Sequence, residues 1–162
     1  MPLAISLKTE SIKALFLSPV FLSTAASLCI AQLLKALISL LSGRRAKTKE
    51  LLAITFWRTG GMPSSHAALV SALTTSIAYT DGVSSTVFLL SLWFSLVVMR
   101  DALGVRRAAG LQARALNNLG KQVAEKMEVG FHPVKEVQGH SPIEVIVGAL
   151  LGIFIACGFA LL

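Results

Sequence analysis

Acidic residues are scarce in this chain. Eight Asp and Glu stand against fifteen Lys and Arg, and charged residues of both signs fill only 14% of its 162 positions. With 54% hydrophobic residues and a mean hydropathy of +0.73, that scarcity excludes an ordinary water-soluble domain, which is less apolar. Cysteine is nearly absent too. Cys29 and Cys157 both lie inside apolar runs and read as small buried hydrophobes, with nothing pointing to a bridge between them. The three histidines, His66, His132 and His140, show no HxxxH or HExxH spacing, so no metal or other cofactor is expected. No secretory signal peptide is evident, because the first long apolar run exceeds the length of a signal-peptide core. Internal repeats and low-complexity tracts are missing as well.

What the chain does have is four apolar segments, running roughly over 16–41, 60–79, 84–99 and 139–162. At about 1.5 Å per residue, helices of this length approach the thickness of a bilayer's hydrocarbon core. Ser71, Thr74, Thr75 and Ser76 dilute the second segment, which predicts a helix packed against its neighbours rather than facing lipid. In the polar stretch 106–138, Leu111, Ala115, Leu119, Val123 and Met127 recur every four residues, predicting an amphipathic helix over the membrane face. Residues 44–59 suit a short interfacial helix or a re-entrant connection. The expectation is an all-α integral membrane bundle of about four transmembrane helices and one or two interfacial helices, forming a single membrane-embedded domain over 1–162.

The formal charge of +7 would suggest nucleic acid in a soluble protein. Here the basic residues flank apolar segments and face anionic headgroups, so the bilayer is the expected partner and nucleic acid is not. Twelve of the fifteen Lys and Arg residues fall between Arg44 and Arg58 or between Arg100 and Lys135. With four crossings these two regions share one side, and the positive-inside rule places that side in the cytoplasm of a cell (inner) membrane. Nothing in the sequence specifies an oligomer.

The same topology gathers three stretches on one face: Gly60-Gly61-Met62-Pro63-Ser64-Ser65-His66, then 99–107 with Arg106 and Arg107, then Gly139-His140-Ser141-Pro142-Ile143-Glu144. Helices opening near Ser64 and Ser141 would aim unpaired N–H groups at a shared oxyanion. Arg106 and Arg107 offer forked donors for phosphate oxygens. Imidazole titrates near neutrality, so His66 and His140 can divide the roles of nucleophile and general acid between them. Glu144, four residues after His140, can hold one ring nitrogen and fix the tautomer. Ser141 to Glu144 is also a capping box with Pro at the first helical position, and Pro63-Ser64-Ser65 is a helix-start signal. His132, between Phe131 and Pro133 in a polar loop, reads as structural.

Together these motifs resemble the divergent branch of the type-2 phosphatidic acid phosphatase family, which is related to the vanadium-dependent haloperoxidases. The resemblance runs from about Gln32 to Leu151. It implies His140 as the nucleophile of a phosphohistidine intermediate, His66 as general acid, Glu144 as the orienting carboxylate and Ser64 or Ser65 as a phosphate ligand. Arg106 or Arg107 takes the place of the third-motif arginine. Lys35, charged within an apolar helix, is favoured over Arg44, Arg45 and Arg58 for the first motif. The implied activity is hydrolysis of a lipid phosphomonoester or diphosphate: phosphatidate, phosphatidylglycerol phosphate or a polyprenyl phosphate. The alternatives are a non-catalytic protein that binds anionic headgroups or serves as a structural partner, and, behind both, peroxidase chemistry. The sequence departs from the family pattern in having Ser65 where glycine is usual, Glu144 in place of aspartate, and a long interval between Arg107 and His140.

Overall fold

Helix formation follows the apolar segments closely, and each break has a local cause. The structure is a computed structural model that describes residues 9–41, 61–136 and 139–161. Helix α1 (Thr9–Leu17) stops at Ser18, because Pro19 opens α2 (Pro19–Leu41) at a first-turn position that needs no N–H donor. Phe16 and Phe21 meet edge to face across this joint, with ring centres 5.0 Å apart. Helix α3 (Ser65–Thr80) starts at the Ser64 cap, and the Gly82 turn leads to the Ser85 cap of α4 (Thr86–Leu103). Gly104 is a one-residue joint into α5 (Val105–Met127). Glu128, in the left-handed region at φ 53°, ends α5, and α6 (Pro142–Ala160) completes the order. Among the described residues there is no strand, as the all-α expectation requires. The stretch 44–59, with Arg44, Arg45 and Arg58, lies outside the described residues.

Among the described residues, three helical stretches are long and apolar enough to cross a membrane: α2, the run through α4 and α5, and α6. Their outer faces carry exposed Leu33, Leu37, Leu90, Trp93, Phe94, Ile146, Leu150 and Phe154. That surface would be unfavourable in water and suits lipid. Helix α3, the segment read from sequence as the second crossing, has sixteen residues, about 24 Å at the α-helical rise. It is the most enclosed helix, packed against α2, α4 and α6.

Two devices hold α3 in place. On one flank, Gly148 and Gly152 of α6 let backbones meet: a β-carbon at Gly148 would overlap the carbonyl oxygen of Ser64, and one at Gly152 that of Ala68. This is the close approach that a GxxxG spacing permits. On the other flanks, hydroxyls bridge the helices. Ser23 and Ser76 share a 2.6 Å hydrogen bond between α2 and α3, and Thr74 and Ser95 one of 2.7 Å between α3 and α4. Ser95 also donates to the carbonyl of Val70 at 3.0 Å. Ser71, Thr74 and Ser76 of the second segment are buried and therefore face protein, as their small polar character predicts.

Helix α5 is amphipathic. Leu111, Leu119, Val123 and Met127 are exposed along one side, while the opposite side receives the chain on its way back. Phe131 covers Gly120, where a β-carbon would collide with the ring. The buried Asn117 side chain grips the backbone of Val134, donating to its carbonyl and accepting its N–H, both at 2.9 Å. Gly139 then packs on the backbone of Arg107. The polypeptide thus goes out along α5 and returns antiparallel to it, so that thirty-odd residues bring it back to its starting level.

Candidate active site at the helix starts

The site end of the bundle gathers the C-terminal part of α2, the start of α3, the end of α4 and the start of α6. Two backbone hydrogen bonds fix this meeting: Ser64 N–H donates to the Glu144 carbonyl at 2.9 Å, and His140 N–H donates to the Ala102 carbonyl at 3.2 Å. The return of the chain along α5 is what delivers His140 to Ala102. Its distance in sequence from Arg107, the largest departure from the family pattern, is closed in space by Gly139 against Arg107.

His140 is buried, with 4% of its surface exposed, and its Nδ1 lies 3.0 Å from Oε2 of Glu144. The same Oε2 accepts the N–H of Ser141 at 3.1 Å, while Ser141 Oγ accepts the N–H of Glu144 at 3.4 Å. The capping box and the imidazole support are therefore one arrangement, and a single carboxylate does both. With Nδ1 engaged, Nε2 is the ring atom left for chemistry. His66, exposed in the first turn of α3, sets its ring 6.5 Å from that of His140, centre to centre, at an interplanar angle of 64°.

Lys35 is buried although charged, with 6% of its surface exposed. Its Nζ donates to Ser65 Oγ at 3.5 Å, its stem runs beside Gly61, and the Glu144 carboxylate is near enough to act on it through space. A buried ammonium is costly unless paired, and Ser65 with Glu144 offsets part of that cost. The two serines divide the work: Ser64, fully buried, accepts the Ala67 N–H at 3.4 Å as the cap of α3, and Ser65 faces Lys35.

Beside this cluster a cavity of about 220 Å³ opens, lined by Gly61, Arg107, Arg114, Glu136, Gly139 and Glu144 among others. Arg107 is exposed and reaches it; the side chain of Arg106 lies outside the described residues. Sequence reasoning missed Arg114 and Glu136, whose side chains pair at 3.3 Å through Arg114 Nε and Glu136 Oε2. Asn117 donates to the other oxygen of Glu136 at 3.0 Å. These two donors hold the Glu136 carboxyl below the usual carboxylate range. One signal for Arg114 was present: seven residues after Arg107 it falls on the same helix face, two turns on. For Glu136 there was none, since no periodicity describes a segment folded back on a helix.

The structure thus brings together His66, His140, Glu144, Lys35, Ser64 and Ser65, with Arg107 on the adjoining cavity. Comparison with known proteins identifies the family. A family model described as the divergent PAP2 family matches residues 16–155. The chain is 37% identical to a Bacillus subtilis (strain 168) protein titled "Uncharacterized membrane protein YuiD", over 83% of this chain and 89% of that one. No solved structure matches. By the extent of both matches, this integral membrane protein belongs to the divergent PAP2 family.

Proposed function

We propose that the protein is a lipid-phosphate phosphatase, hydrolysing a phosphomonoester or diphosphate on a lipid headgroup. The observation that carries this reading is the pair of facing imidazoles, 6.5 Å apart, with Nδ1 of His140 tied to Glu144. In the proposed reaction, the Nε2 lone pair of His140 attacks phosphorus, the ester P–O bond breaks, and His66 gives its proton to the departing alkoxide. Water then attacks the phosphohistidine, His66 takes a proton from it, and the P–N bond breaks to release phosphate.

The phosphoryl oxygens carry the developing negative charge, and preorganised cations and donors stabilise it. Lys35 and Arg107 are the cations in this scheme, Ser65 a hydroxyl ligand, and Ser64 the residue that aims the start of α3. Glu144 keeps His140 in the attacking tautomer and stabilises the imidazolium that forms. The acyl or prenyl chains stay among the apolar outer faces, so only the headgroup enters. The basic flanks favour a site opening to the cytoplasmic leaflet of the cell membrane.

Steady-state phosphate release from phosphatidate by the purified protein tests this, with His140→Ala and His66→Ala as variants. Release by wild type that both variants reduce at least ~100-fold, the scale of acid–base catalysis, supports it. Release unchanged in both variants overturns it. A second reading, headgroup binding without turnover, draws on Ser65, whose hydroxyl engages the Lys35 ammonium where the resembled motif has glycine. Tight binding of phosphatidate vesicles with no release favours that reading.

A further inference from the structure

The cavity adjoins the histidine pair through Gly139 and Glu144, and its Arg114–Glu136 end is not used by the reaction proposed above. Arg107 stands level with Gly139, next to His140, whereas Arg114 lies two helical turns on, about 10 Å along α5. Glu136 faces Arg114 from the returning segment. The volume of about 220 Å³ is below the roughly 300–1,000 Å³ of pockets that enclose a drug-sized ligand. It therefore suits a polar group of a headgroup, not a lipid tail.

The donor inventory is unevenly spent. A guanidinium carries five N–H donors. Arg114 uses Nε on Glu136, and Arg107 is given no carboxylate among the described residues. The Arg114–Glu136 pair is more than one-third exposed on both sides, and such pairs contribute little to stability. What it does provide is a cation held in a fixed orientation by a partner that an incoming anion can replace. Asn117, about one turn along α5 from Arg114, anchors the arrangement by holding both Glu136 and the Val134 backbone.

We propose that Arg114, with Glu136 as its displaceable partner, forms a second anion subsite that binds a further phosphate on the same lipid headgroup. This rests on the lipid-phosphate reading of the histidine site. The headgroup then lies along α5: its terminal phosphomonoester meets His140, and a second phosphate in the adjoining cavity meets the Arg114 side chain. Guanidinium forks bind phosphate oxygens in pairs, which gives the subsite direction as well as charge.

The test compares full-length protein on vesicles containing phosphatidate, with one phosphate, against vesicles containing phosphatidylglycerol phosphate, with a terminal monoester and an inner diester. The readout is the ratio of kcat/KM for the second lipid over the first. Arg114→Gln is expected to lower that ratio at least tenfold, with Arg114→Lys recovering part of it. Glu136→Gln, which frees the guanidinium, is expected to hold or raise the ratio. A merely structural ion pair makes Glu136→Gln and Arg114→Gln act in the same direction, and that result overturns the proposal. So does an unmoved ratio accompanied by inhibition by inorganic phosphate that Arg114→Gln abolishes, since the pocket would then take a free anion. If wild type releases phosphate from neither lipid, hydrolysis of these two lipids is refuted, and vesicle-binding Kd ratios for the same variants decide the subsite on the same criteria.

Discussion

One oxygen of Glu144 joins this carboxylate to His140: Oε2 lies 3.0 Å from Nδ1 while also receiving the Ser141 N–H. The start of α6 and the orientation of the imidazole therefore depend on the same side chain, four residues along the helix. That coupling separates two effects which mutation can read apart.

Ser141→Ala removes only the cap, so it should lower stability by about 0.5–2 kcal/mol and leave phosphate release within a few-fold of wild type. Glu144→Ala removes the cap and the ring support together. Its stability loss should be similar, with a loss of release far beyond that of Ser141→Ala. Thermal unfolding in detergent beside a phosphate-release assay checks both. Equal activity in the two variants would assign Glu144 to capping alone.

Gly148→Val and Gly152→Val should both be severe. Each places a β-carbon against a carbonyl oxygen of α3, and overpacking of a tight interface costs about 1–3 kcal/mol, occasionally more. Gly158→Ala is the matched control, because a β-carbon there meets nothing within 4 Å. Unfolding midpoints of the three variants in one detergent provide the comparison.

The hydroxyl bridge between α3 and α4 is open to a double-mutant cycle. Thr74→Val, Ser95→Ala and the combination should give a coupling energy near ~0.6 kcal/mol, with about 1.7 as the upper end seen for hydrogen bonds inside membrane proteins. A coupling indistinguishable from zero would mean that the Thr74–Ser95 contact at 2.7 Å adds nothing beyond packing.

The returning segment should loosen in acid. Asn117 and Arg114 favour the ionised Glu136, so its folded-state carboxyl lies below the usual value, which is about 4.3 for a free glutamate. A depressed carboxyl stabilises fully above the unfolded value and loses that contribution as pH falls through the folded one. Hydrogen exchange at the Val134 amide, which donates to Asn117, should therefore quicken below about pH 4.3 relative to amides within α3. Glu136→Gln should remove that pH dependence.

Much of the fold was legible before the structure. Apolar length gave α2, α4 and α6, the four-residue repeat from Leu111 to Met127 gave α5, and Ser64 and Ser141 marked helix starts. The convergence of His66, His140 and Glu144 followed from topology alone. The segment from Val129 to Glu136 was not legible. Its position rests on single contacts, Phe131 over Gly120 and Asn117 around Val134, and isolated side-chain contacts leave no periodic trace. For that reason Arg114 and Glu136 went unnoticed, and the interval between Arg107 and His140 looked like a departure when it is a detour. The division of labour between Ser64 and Ser65 was hidden too, because adjacent serines at a helix start are equivalent until one is seen to cap.

Two imidazoles acting on one phosphorus can be tested directly with phosphatidate labelled at its phosphate, mixed with excess enzyme and quenched in alkali within a single turnover. The expected result is acid-labile label on the peptide containing His140, absent in His140→Ala and formed far more slowly in His66→Ala. Phosphate released without label on the protein, or label persisting in His140→Ala, contradicts the mechanism.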